Sequence, residues 1–263
     1  MLSCITAWLR YYYTKEFFSA CISIAEKDED TYNYIHLLEN EYNITTIIPD
    51  INCSNIYFKP IKDSDKILYG LGCIKGVGAK VLSDIVDNRP YDSLQNFLDK
   101  FTKSKINKKT AEALICAGAF DNLEHTTNRY SILNKFYRIR KQEENIIDEN
   151  SWNENTCIEY ELQKLNVSLT YKTWLEKLTQ GDTVTFEYTI NSKFEKLDKR
   201  NRLMAFVKGE ANNCEIELVV FATKYVKSLD LFDPIFYKDK TLTIKAKKID
   251  GNKFEFIKGS FNS

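Results

Sequence analysis

The stretch best suited to chemistry works through its backbone. In Ile74-Lys75-Gly76-Val77-Gly78, one apolar residue separates two glycines. Glycine permits φ > 0 and lets another backbone come close. Val77, Val81, Leu82, Ile85 and Val86 then recur at helical spacing, so the glycines open a helix whose first residues are Ala79 and Lys80. The first N–H groups of a helix have no partner within it. Grouped with those of the turn, they attract an anion such as a phosphate. Lys75 and Lys80 flank the turn with positive charge. The competing reading is an ordinary glycine turn. Gly-Val-Gly is not G-x-G-x-x-G and no Lys-Ser/Thr pair follows, which argues against a nucleotide loop.

Other candidates are weaker. Asp63-Ser64-Asp65 could hold Mg²⁺, but it sits among Lys59, Lys62 and Lys66 with no strand pattern to fix it, which favours a solvated loop. His36 and His125 are far apart, and the seven cysteines are scattered without a C-x-x-C, so neither a zinc site nor a disulfide framework is expected. No cofactor is expected in this chain. Such cysteines fit a reducing, cytoplasmic setting. No run of about 18 apolar residues suggests a membrane span, and Arg10 and Lys15 interrupt any signal-peptide core. Net charge is zero, yet it is unevenly spread: −5 over 1–58, +5 over 59–110, −3 over 111–180 and +3 over 181–263. The two positive segments are where phosphate contact is expected, the others where protein contact is.

The positioning elements follow from periodicity. Residues 4–25 and 31–42 read as helices, and 44–48 as a short strand. Residues 54–67 read as a polar connection to the glycine turn. Ser93 caps a helix over 94–101, and Asn107 caps another ending at Gly118. Residues 67–118 thus use one helix-turn-helix arrangement twice. The second turn, Ser104-Lys105-Ile106-Asn107, lacks glycines but has Lys103, Lys105, Lys108 and Lys109 around it. A charged helix spans 128–145, a polar stretch over 146–155 reads as a mobile linker, and a helix covers 157–165. From Thr183 the period becomes two. Five strands, with a helix between the third and fourth, give the order of an OB-fold. That fold stacks single-stranded bases on aromatics in a basic groove. Phe194, Lys199, Arg200, Arg202, Phe206 and Phe221 are candidates, although Phe221 in Val219-Val220-Phe221 is expected in the core.

The glycine turn resembles a helix-hairpin-helix motif, which holds a DNA phosphate without reading bases. More of the chain then resembles the C-terminal part of the bacterial replicative DNA polymerase III alpha subunit. The resemblance runs through Thr6-Ala7-Trp8-Leu9-Arg10, Tyr13-Thr14-Lys15-Glu16-Phe17 and Pro49-Asp50-Ile51-Asn52-Cys53-Ser54. It is closest over Tyr69–Gly78 and Glu112–Asp121, and continues at Met204-Ala205-Phe206 and 215–221. Thr14 stands where the family usually has proline, and Asn201 where glycine is common. The resemblance implies a multidomain α + β chain: a helical fingers-like segment over 1–58, a tandem helix-hairpin-helix domain over 59–123, a helical linker over 124–178 and a five-stranded OB-fold barrel over 179–263. In that family the catalytic carboxylates lie in a palm domain upstream of these blocks. The chain is therefore expected to bind DNA and not to polymerise it alone.

On this reading Lys75, Gly76, Val77, Gly78, Ala79 and Lys80, with Lys105, Asn107, Lys108 and Lys109, grip duplex DNA. Lys199, Arg200, Arg202 and Phe206 meet single-stranded template. Expected partners are both forms of DNA, a palm-bearing polymerase chain or missing N-terminal part carrying the Mg²⁺, and a sliding clamp or other replisome proteins. The alternatives are a stand-alone helix-hairpin-helix repair enzyme, which would need an Asp after the hairpin helix that Asp92 matches poorly, and a single-strand-binding accessory protein.

Overall fold

The first helix, Leu2–Tyr12 (α1), leaves Ile5, Trp8, Leu9, Tyr11 and Tyr12 exposed. Tyr13, at φ −132° and ψ 50°, separates it from Thr14–Ser23 (α2). The stretch 4–25, expected as one helix, is therefore two, and α2 buries Phe18 and Ile22. These coordinates are a computed structural model that describes residues 2–25, 28–101, 105–212, 214–233 and 241–261. Lys103 and Ser104 of the second turn lie outside the described residues.

Asp28–Tyr42 (α3) leads into a three-stranded sheet. Thr45–Ile47 (β1) pairs in parallel with Lys66–Leu68 (β3), which also pairs antiparallel with Lys59–Pro60 (β2). The supposed polar connection over 54–67 thus supplies two strands. Runs of two or three residues are too short to show alternation in sequence. Ala79–Asp87 (α4), Leu94–Asp99 (α5), Lys108–Cys116 (α6), Arg129–Arg140 (α7) and Glu154–Leu165 (α8) follow. The starts of α5, α6 and α7 are chemically fixed. Ser93 Oγ accepts from the Asn96 N–H at 3.1 Å, Asn107 Oδ1 from Thr110 at 2.9 Å and Asn128 Oδ1 from Ser131 at 3.2 Å.

The chain divides into two compact units, Met1–Tyr171 and Lys172–Ser263. The expected linker over 124–178 is shared between them. In the first unit Ile132, Leu133, Phe136 and Leu165 join the same core as Phe97 and Leu114. The polar stretch 146–155, expected to be a mobile linker, is fastened to α7. The Asn134 amide, 1% exposed, donates to the Ile147 carbonyl at 2.7 Å and accepts from the Ile147 N–H at 2.8 Å. One side-chain amide replaces a strand partner for that backbone, which satisfies it without regular structure.

The second unit opens with Trp174–Lys177 (α9), held by a capping box between Thr173 and Glu176. Trp174 stacks on Phe254 with centroids 5.9 Å apart, and Lys248 Nζ donates to the carbonyls of Leu175 and Leu178. Thr183–Leu197 (β4), Leu203–Ala211 (β5), Cys214–Val220 (β6), Thr241–Asp250 (β7) and Lys253–Phe261 (β8) close a barrel in the order β4-β5-β6-β8-β7. Among the described residues of the barrel, only β6 and β8 pair in parallel. Ala222–Tyr225 (α10) and a 3₁₀ turn over Val226–Phe232 lie between the third and fourth strands. This is the expected five-stranded OB arrangement. Tyr188, Leu218, Ile244 and Phe254 are among its buried interior.

Candidate nucleic-acid interface

The first hairpin runs from a 3₁₀ turn at Leu71–Cys73 through Ile74–Gly78 into α4. Ile74, Val81, Leu82 and Ile85 are buried and anchor it, while Lys75, Gly76, Gly78, Ala79 and Lys80 are exposed and Val77 is half-buried. The two glycines do different work. Gly76 has φ +96°, which side-chain-bearing residues rarely adopt. Gly78 sits at φ −77° and ψ 142°, ordinary extended backbone, with open space where a Cβ would stand. Of the two properties glycine offers, Gly76 uses the positive φ and Gly78 the bare surface.

Backbone donors are unevenly spent. The Lys75 N–H donates to the Lys164 carbonyl at 3.0 Å, the end of α8, and Val77 and Val81 donate back within the turn. The N–H groups of Gly76, Gly78, Ala79 and Lys80 donate to nothing among the described residues. No side chain caps α4 at Gly78. The contrast with α6 is direct, because Asn107 already occupies the Thr110 N–H there.

Tertiary packing adds a cation that the sequence does not place. A Cβ on Gly76 would stand 3.3 Å from Ala113 Cβ and 3.9 Å from Lys109 Cε, so α6 lies against the first hairpin and brings exposed Lys109 to it. The other lysines of the second turn are engaged elsewhere. Lys105 Nζ pairs with Asp84 Oδ2 of α4 at 2.8 Å. Lys108 Nζ donates to Asn145 Oδ1 at 2.6 Å and lies over the Tyr137 ring. The structure therefore gathers Lys75, Gly76, Gly78, Ala79, Lys80 and Lys109 at one place, and spends Lys105, Asn107 and Lys108 on holding the two hairpins in shape.

Behind the second hairpin lies a buried ionic network missing from the sequence reading. Arg129 is fully buried, 2.9 Å from Asp121 Oδ2 and 2.8 Å from Glu161 Oε1, and donates to the Cys116 carbonyl. Glu161 Oε2 also accepts from the N–H groups of Leu169 and Thr170. Burial pushes the Asp121 carboxyl up to about 6, against the pull of Arg129. Gly118, at φ +85°, leaves room for this guanidinium, since a Cβ there would meet Arg129 Nη2 at 2.4 Å.

On the barrel, β4 and β5 form a ribbon with Phe194 opposite Phe206 and Lys196 opposite Met204. Phe194 is 65% exposed and Phe206 half-buried. An open groove of about 530 Å³ runs over this face, lined in part by Phe194, Phe206, Lys196 and Lys208. Phe221 departs from expectation: it is exposed, not core. Ile216, Leu218 and Val220 alternate inward, so the next residue turns out, and Phe221 stands at the N-cap of the helix that follows instead of filling the barrel. The β4–β5 turn is braced by Asp198, which accepts from the N–H groups of Arg200 and Arg202 and from the Arg202 side chain. The Arg202 backbone N–H, with these other donors, holds the Asp198 carboxyl below its usual range. Asn201 takes φ +56° where glycine would be at ease, which asparagine tolerates. Arg202 is thereby committed to the turn, whereas Lys199 and Arg200 are exposed at its tip. Asp63 and Asp65 lie in the exposed turn between β2 and β3, and among the described residues no three acidic, His or Cys groups gather as a metal site.

Comparison with known proteins bears on both units. Residues 43–130 match the family model described as helix-hairpin-helix motif, which covers the whole first hairpin and α6. The DNA polymerase III subunit alpha of Xylella fastidiosa is 35% identical over 161 residues, 59% of this chain and 13% of the relative. That of Campylobacter jejuni is 30% identical over 235 residues, 86% of this chain and 18% of the relative, and that of Pseudomonas aeruginosa is 35% identical over 129 residues. The chain spans less than one-fifth of the length of these relatives.

Proposed function

We propose that this chain, similar along most of its length to a segment of the DNA polymerase III alpha subunits, serves as a DNA-binding portion of a replicative DNA polymerase. The observation that carries this reading is the first hairpin. Four unspent backbone N–H groups and three exposed lysines, Lys75, Lys80 and Lys109, surround a bare glycine within the segment that matches a helix-hairpin-helix family. Such a site suits a phosphate of duplex DNA, held by backbone donors and positive charge without base readout. The aromatic and basic face of β4 and β5 suits single-stranded template. Polymerisation, with its Mg²⁺, falls on this reading to a palm domain, whether on a partner chain or on an N-terminal part of the same protein, and a sliding clamp or other replisome proteins are further partners.

The test is a titration of the full chain with duplexes of unrelated sequence at several salt concentrations. Lys75→Ala should weaken binding equally on all of them and lessen the slope of log K against log salt by about one. An unchanged slope, or a loss confined to one sequence, would count against phosphate capture at the hairpin.

A further inference from the structure

The groove across β4, β5 and β6 holds one group that phosphate contact does not need. Phe194 and Phe206 face each other in register, with Lys196 and Lys208 beside them. Glu217 of β6, the register partner of Lys208, contributes a carboxylate to the same groove. Among phosphates that carboxylate is repulsive. Beside a base edge it is an acceptor and nothing else. Its ion-pair partner, Lys253 Nζ, stands 3.7 Å from Glu217 Oε1, beyond hydrogen-bond distance, so its accepting capacity is not used up.

Cytosine presents an amino donor at N4, and thymine presents a carbonyl at the corresponding O4. We propose that Glu217 makes this groove select among stacked bases, favouring cytosine over thymine by accepting a hydrogen bond from the exocyclic amino group. The proposal rests on the reading of this face as a single-strand platform. The phenylalanines supply stacking that tolerates any base, the lysines hold the backbone, and Glu217 adds the one contact that distinguishes two pyrimidines of equal ring size.

The experiment titrates the full chain at neutral pH with short single strands of dC and of dT at one salt concentration. The wild type should prefer dC by about threefold to tenfold, the net range of one hydrogen bond. Glu217→Gln should bring the ratio close to one, because an amide can donate to thymine as well as accept from cytosine. A strand of N4,N4-dimethylcytosine, which has no amino donor, should bind the wild type as dT does, and this arm needs no variant. A wild-type ratio of one, or a ratio that neither Glu217→Gln nor dimethylation moves, overturns the proposal. Phe206→Ala separates the two levels. If it weakens dC and dT alike while the ratio stays at one, the platform stands and base selection falls. If it changes neither, the platform itself falls.

Discussion

At the scale of single residues, Gly76 and Gly78 show why neighbours of one type need separate treatment. Gly76→Val would force a side-chain-bearing residue to φ +96° and press its Cβ on Ala113. Left-handed backbone costs about 1–2 kcal/mol for such a residue, so this variant should melt earlier and bind duplex more weakly, and its binding loss would not isolate the interface. Gly78→Val is the cleaner probe. Its backbone is already extended and its Cβ would meet nothing, so stability should move by less than about 1 kcal/mol. Duplex binding should fall nonetheless, because the added side chain stands where the DNA backbone must approach. Melting temperature and duplex titration together decide this. A Gly78→Val protein that binds as well as wild type would mean that no DNA backbone comes close there. The glycine pair was legible in sequence as a turn opening a helix. That only one of the pair has φ > 0 was not, since composition carries no dihedral. Lys109 at the hairpin was equally hidden, because α6 reaches Gly76 only through tertiary packing.

At the scale of elements, the caps and the change of period were written plainly. Ser93 and Asn107 start helices where their side-chain oxygens predict, and alternation from Thr183 onward marks the barrel. The interior polar groups were not. Arg129 and Glu161 sit in helices whose other charges face water, so nothing in the pattern distinguishes them. Arg129→Met should cost about 3–5 kcal/mol, because it leaves two carboxylates buried without their cation. The pH dependence has a definite sign. Burial raises the Asp121 carboxyl from 3.8 to about 6 in the folded protein. A carboxyl raised on folding contributes stability that is complete below its unfolded value and is lost as pH rises through its folded value. Removing Arg129 raises Asp121 further, so the deficit of the variant against wild type should be larger at pH 8 than near pH 5, within the conventional stability range. Denaturant midpoints at the two values measure it, and a deficit that is the same at both would assign the cost to lost packing instead.

At the scale of the whole molecule, the boundary between the two units governs which fragments are meaningful. A cut within 146–155, which the polar sequence invites, would part Arg129 on α7 from Glu161 on α8, and made before Ile147 it would also tear that residue from Asn134. A cut between Tyr171 and Lys172 respects both cores and leaves α9, with its Trp174–Phe254 stack, on the barrel. Polar composition was read as looseness because side-chain amides that stitch backbone together look, in sequence, like solvated ones. Fragments 1–171 and 172–263 should therefore each unfold cooperatively. A cut at 150 should lower the melting temperature of the first fragment, since it strips α8 and its Glu161 from the Arg129 network. The two fragments should also divide their preferences. The hairpin unit offers backbone donors and lysines, which suit the regular phosphates of duplex DNA. The barrel offers Phe194 and Phe206, which stack on bases only where a strand is unpaired, at about 1–3 kcal/mol per base. Fragment 1–171 should bind duplex more tightly than single strand at low salt, and 172–263 the reverse. Each should be weaker than the full chain, because joining raises the effective concentration of the second contact on one primer-template. Anisotropy titrations of both fragments on both forms of DNA decide the matter. A barrel fragment that is folded yet indifferent to strandedness would turn the β4–β5 face from a nucleic-acid platform into a protein-docking surface.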